Sequence, residues 1–149
     1  MRAVVQRVYD AEVRVDGDVT GHIDRGILVY LGVHCNDTDK DLEYIADKIV
    51  NLRIFSDDAG KMNLSLLDVK GDILLVSQFT LYGDARRGRR PSYGDAAGGE
   101  KGRDFYDKLI SLLRGSGIHV ETGCFGADMK VRYTNDGPVT ILLDSFKNF

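Results

Sequence analysis

The chain has no tryptophan, two prolines, two cysteines, three histidines and no apolar run near the ~18 residues a membrane span requires. Each shortage closes off a class of protein. Cys35 and Cys124 form neither a disulfide framework nor a metal-type pair, so each reads as a small apolar residue in a reducing compartment. His22, His34 and His119 share no short helical spacing, so a zinc site would need distant segments; neither metal nor cofactor is expected. Met1-Arg2-Ala3-Val4-Val5 lacks the apolar core and cleavage site of a signal peptide, which predicts a cytoplasmic protein with no membrane partner. A formal net charge of -3 argues against a surface coated in positive charge for nonspecific nucleic-acid binding, while leaving room for a local basic patch. What remains is ordinary globular material: 149 residues, 43% hydrophobic and 29% charged, predict one domain spanning residues 1–149 with a sizeable core.

Hydrophobic patterning predicts an α+β fold, β-rich, built as a barrel-like or strongly curved mixed sheet with two packed helices. Met1 to Val8 is an apolar stretch, and Glu12 to Val15 alternates as a half-buried strand does. Asp16-Gly17-Asp18 then gives a strong hairpin signal before a return strand, Val19 to Ile23. The run Gly26 to Val33 reads as a central strand covered on both faces. Capping residues at 37–41 open a first helix whose Leu42, Ile45, Ile49 and Leu52 fall on one face. A short strand is expected at 53–55, an irregular segment at 61–69, and a strand from Asp72 to Leu81. Phe105, Leu109, Leu112 and Leu113 form the stripe of a second helix, stopped at Gly115-Ser116-Gly117. Strands are expected at 118–122, 129–133 and 139–143.

Three stretches carry more polarity or punctuation than scaffold needs. The apolar strand Ile73-Leu74-Leu75-Val76 runs into Ser77-Gln78-Phe79-Thr80-Leu81, either a strand end satisfied by local turns or one wall of a site. Arg86-Arg87-Gly88-Arg89-Arg90 lies in a long glycine-rich connection; four guanidinium groups can grip phosphates bidentately or simply form a solvated loop. In Asn135-Asp136-Gly137-Pro138-Val139-Thr140, proline removes a backbone donor, so the chain must turn or protrude there. The residues themselves leave the isomer of the Gly137-Pro138 bond open.

The segments Ser77 to Leu81 and Asn135 to Thr140 resemble the two signature motifs of D-aminoacyl-tRNA deacylase in its bacterial and eukaryotic form. The likeness extends to Met1 to Val8, Arg53 to Asp57, Gly60 to Leu64, Arg89 to Ser92 and Ala127 to Met129. It implies hydrolysis of the ester joining a D-amino acid, or glycine, to the 3′-terminal adenosine of tRNA, with L-aminoacyl-tRNA rejected. Ser77, Gln78 and Thr80 would line the ester as the catalytic set. Phe79 would pack against the terminal adenine, and Leu81, Met129 and Val139 would join the substrate wall. The family works as a homodimer, so Gly137 and Pro138, as a Gly-cis-Pro pair, would complete the partner's pocket, with Arg7 bracing the loop. Arg86, Arg87, Arg89 and Arg90 would meet tRNA phosphates. A catalytically silent nucleic-acid-binding module and a metal-dependent deacylase of another lineage are the competing readings.

Overall fold

In a computed structural model describing residues 1–149, Asp16 and Gly17 both take positive φ, 50° and 88°. That is the backbone of a two-residue hairpin turn whose twist matches its flanking strands. It joins β1 (Arg2–Val15) to β2 (Asp18–Gly32), each longer than the two short segments that the patterning suggests. The remaining main-sheet strands are β5 (Asp72–Ser77), β6 (Val120–Thr122) and β7 (Lys130–Asp144), and a small hairpin pairs β3 (Phe55–Ser56) with β4 (Met62–Leu64). The five-stranded order is β6-β5-β2-β1-β7, antiparallel where β1 meets β2 and β7, and parallel from β2 through β5 to β6. The sheet is mixed but does not close into a barrel. Its edges, a three-residue β6 and a fifteen-residue β7, are mismatched in length and do not pair.

Three helices form rather than two. α1 (Asp39–Asn51) starts as its acidic cap suggests, with the Thr38 N–H donating to Asp41 Oδ2 at 2.9 Å, and buries Leu42, Ile45 and Ile49. α2 (Leu66–Val69) occupies part of the segment expected to be irregular; Ser65 and Asp68 cap it reciprocally, a Ser-x-x-Asp signal present in the sequence. α3 (Gly99–Gly115) buries Phe105, Tyr106, Leu109 and Leu113. Leu112 instead faces solvent, and Tyr106 takes its place in the core, where a phenol can reach the Leu75 carbonyl at 2.7 Å.

The helices cover one sheet face, where Ile27, Val29, Leu31, Ile73 and Leu75 join Ile45, Ile49 and Leu109 in a 23-residue cluster. The other face carries no helix. There Val8, Val13, Leu28, Leu74 and Val76 form a smaller cluster, with Tyr30, Met129, Val131 and Tyr133 packed over it. Register breaks in β1 against β2 and β7 let the long strands bend around this side. No helix is long and apolar enough to cross a membrane.

Candidate active site

β5 is buried on both faces from Ile73 to Val76, and then the ladder stops. The Gln78 N–H makes one further bond to the Leu31 carbonyl at 2.7 Å; the chain then enters a 3-10 turn, Phe79–Tyr82, where a continuing strand was expected. The leading N–H groups of such a turn have no partner inside it, so they are free to face a ligand. Phe79 is 57% exposed and touches Tyr93 edge to face at 5.1 Å, which excludes a core role for its ring. The Gln78 side-chain amide donates to the Thr80 hydroxyl. No carboxylate, imidazole or amine contacts that hydroxyl, so nothing is in place to deprotonate it.

Ser77, Gln78 and Phe79 open on a cavity of about 520 Å³, completed by Ala97 and Gly99 ahead of and within α3, by Val76, and by Phe125 to Met129 with Val131. A narrow recess of about 40 Å³ continues inward to Gly102 and Tyr106. Met129 is seated by an absence: a Cβ on Gly123 would lie 2.5 Å from its sulfur, so a side chain there would push the flexible thioether from its place. Phe125, not anticipated from the sequence, shares this wall; its only trace in the sequence is an aromatic within Gly123-Cys124-Phe125-Gly126. Thr80 and Leu81 follow the cavity residues without lining it, and the Leu81 carbonyl accepts from Arg2 Nη1 at 3.1 Å.

Gly137 and Pro138 lie elsewhere on the chain's surface, Val139 is partly buried against the larger core cluster, and none of the three lines this cavity. β7 passes Gln6 with Thr140 and Val8 with Asn135, so Arg7 alone opposes residues 136–139 and the extra chain bulges outward. Gly137-Pro138 is cis, and both residues are exposed. The bulge is tied at its base. The Asn135 amide donates to the carbonyls of Arg7 and Val139, both at 3.1 Å. Arg7 Nε lies 2.8 Å from Asp136 Oδ2, and Arg7 Nη1 donates to the Ile54 carbonyl at 2.6 Å. Gly137 has φ 119°, and a Cβ there would meet Arg7 Nη2 at 3.0 Å, so a side chain would strain the backbone and displace the brace. Asn135, Asp136 and Ile54 are supporting residues that turn chemistry alone does not reveal.

The arginine cluster also stands apart from the cavity. Asp84 and Ser92 exchange backbone hydrogen bonds of 2.8 and 2.9 Å, closing the neck of a loop that presents Arg86, Arg87, Arg89 and Arg90 to solvent. Arg86 is held bidentately by Asp84 at 2.8 and 2.7 Å, and those bonds pull the Asp84 carboxyl down to about 2. Arg87, Arg89 and Arg90 have no carboxylate partner. Tyr93, next to the neck, links the loop to Phe79. No group of three or more His, Cys, Asp and Glu side chains is positioned to hold a metal ion.

The sequence model of the D-Tyr-tRNA(Tyr) deacylase family matches residues 4–144. A protein of Clostridium botulinum (strain Eklund 17B / Type B) named D-aminoacyl-tRNA deacylase is 60% identical, and one of Fervidobacterium nodosum with the same name is 62% identical; both alignments cover 100% of each chain. Among solved structures, one titled c-Myc DNA Unwinding Element Binding Protein superposes with a TM-score of 0.91 at 43% identity, covering 97% of this chain and 98% of that one. A probable eukaryotic D-amino acid tRNA deacylase superposes at 0.83 with 20% identity over 95% and 97%, a likeness of fold.

Proposed function

Since the chain belongs to the D-Tyr-tRNA(Tyr) deacylase family and is a hydrolase of D-aminoacyl-tRNA, we propose that its catalytic unit is a cytoplasmic homodimer, each cavity completed by the partner's Gly137-Pro138 bulge. One observation carries this reading: Ser77, Gln78, Phe79 and Met129 share a cavity that the chain's own Gly137 and Pro138 do not line. The helix-free face supplies a surface for a second copy. Val4 and Leu142 pair across β1 and β7 there, and Leu142 is 57% exposed.

In this reading the terminal adenosine enters the cavity with its base against Phe79, which suits an exposed ring meeting an unpaired base. Ser77 and Gln78 meet the ester from the cavity wall, Thr80 and Leu81 support them from the turn behind it, and water attacks the ester carbonyl carbon. The oxyanion that forms is met by the free N–H groups of the 79–82 turn, a donor of this kind being worth roughly 3–4 kcal/mol in hydrolases. Its collapse breaks the ester C–O bond and releases the D-amino acid and the adenosine 3′-hydroxyl, which takes up the proton that the water gave up. Carbonyls of the partner's bulge receive the substrate ammonium, and the close backbone excludes an L side chain. Glycine has none and passes. Chirality is then judged by exclusion. Arg87, Arg89 and Arg90 face acceptor-stem phosphates and give affinity without sequence choice, while Arg86 is held back by Asp84.

Mixing two inactive variants tests the shared site. Phe79→Ala lacks a wall, and Pro138→Ala lacks a loop, yet a heterodimer of the two rebuilds one whole cavity. Mixed and exchanged subunits are expected to recover roughly one quarter of wild-type deacylation, because half the dimers are hetero and each holds one intact site. No recovery, with heterodimers verified, would place the loop's action within its own subunit.

A further inference from the structure

The four arginines of the exposed loop lie outside the cavity wall, yet a nucleotide ester held in that cavity still carries the phosphate that joins it to the rest of its RNA. That phosphate needs a cation at the rim. Lys130, next to Met129, is paired with Asp128 at 2.8 Å, and Lys101 donates to the carbonyls of Cys35 and Asp37 at 2.7 and 2.8 Å. Arg7 is engaged by Asp136 and Ile54. Arg103 differs from all of these. It lies four residues beyond Gly99, on the face of α3 that borders the cavity. Its guanidinium carbon sits 4.8 Å from the centroid of the Phe125 ring, the ring that forms the cavity wall. Its only polar contact is the Phe125 carbonyl, at the 3.5 Å limit of a hydrogen bond, and it has no carboxylate partner. Stacking on an aromatic face orients the planar fork while leaving most of its five donors free.

We propose that Arg103 is the phosphate-binding residue at the cavity rim, gripping the phosphate on the 5′ side of the terminal adenosine. The inference rests on the cavity holding that adenosine ester. Arg103 then aligns the last nucleotide as it enters, and the loop arginines contact phosphates farther along the acceptor stem. The residue positions substrate and takes no part in ester cleavage.

Two substrates separate this role from a structural one: D-tyrosyl-tRNA, which has the phosphate, and D-tyrosyl-adenosine, which lacks it. Arg103→Ala is expected to raise KM for the tRNA about tenfold, an effect of the size that loss of a charge-assisted contact gives, and several-fold more than for the nucleoside ester. The slope of log KM against log salt should fall by about 0.7, one single-strand phosphate contact. Arg103→Lys should restore most of the slope, since it keeps the charge but not the fork. Equal losses on both substrates would show that Arg103 merely braces Phe125, and no loss on either would remove it from the site; both results overturn the proposal. Wild-type protein that leaves both substrates intact would instead overturn the reading of the cavity, and this inference with it.

Discussion

Thr80 is the residue on which the chemistry divides. Its hydroxyl contacts only the Gln78 amide, which cannot act as a base, so a covalent route through Thr80 has no means of activation. Thr80→Ala is therefore expected to retain substantial deacylation of D-tyrosyl-tRNA in a single-turnover assay; loss to background with binding intact would restore the threonine as nucleophile. Asn135 has the opposite profile, remote from the cavity but holding the bulge closed at its base through two carbonyls. Asn135→Ala should cost about 2 kcal/mol in denaturant unfolding, about 1 for each lost hydrogen bond, and should relax discrimination against L-tyrosyl-tRNA by more than it lowers turnover. Unchanged discrimination would mean that the bulge does not depend on this clamp. The polarity of Ser77 to Thr80 and the Gly-Pro pair were legible in the sequence, because each breaks a local pattern. Phe125 and Asn135 were not, since a ring beside glycine and an asparagine before a turn look the same whether they serve a site or a loop.

Among the elements, the loop between Asp84 and Ser92 governs electrostatics. Asp84 takes Arg86 out of the cationic set, and the pair survives across the working pH range because the Asp84 carboxyl titrates near 2. The sign follows from that depression: the folded value lies below the ordinary carboxylate value, so the contribution is complete above about pH 4 and is lost as pH falls toward 2. Asp84→Asn should free Arg86, lower KM for tRNA at low salt and steepen its salt dependence by up to about 0.9, one duplex phosphate contact. An unaltered salt slope would remove this loop from the RNA surface. Strand and helix positions were largely legible, because the hairpin turn, the α1 cap and the α3 stripe are local signals. The end of β5 at Ser77 was not. An apolar run followed by β-compatible residues gives no sign of where the neighbouring strand stops offering partners, and here the last bond comes from the Leu31 carbonyl.

At the scale of the whole molecule, the sheet puts the cavity at the end of β5 and the bulge on β7, with β2 and β1 between those strands. A single chain thus separates the residues proposed to hold the ester from those proposed to select the amino acid. The apolar and alternating segments along the chain pointed to a barrel-like or strongly curved mixed sheet, but closure depends on whether the edge strands match in length, which pairing across distant segments decides. A backbone filter of this kind, acting without a covalent intermediate, would admit a D or absent side chain and exclude an L one. Its most direct measurement compares initial rates of ester loss from D-tyrosyl-, glycyl- and L-tyrosyl-tRNA with the protein in excess. Rapid loss is expected from the first two and no acceleration over spontaneous hydrolysis for the third; equal rates on the two tyrosyl enantiomers would rule the filter out.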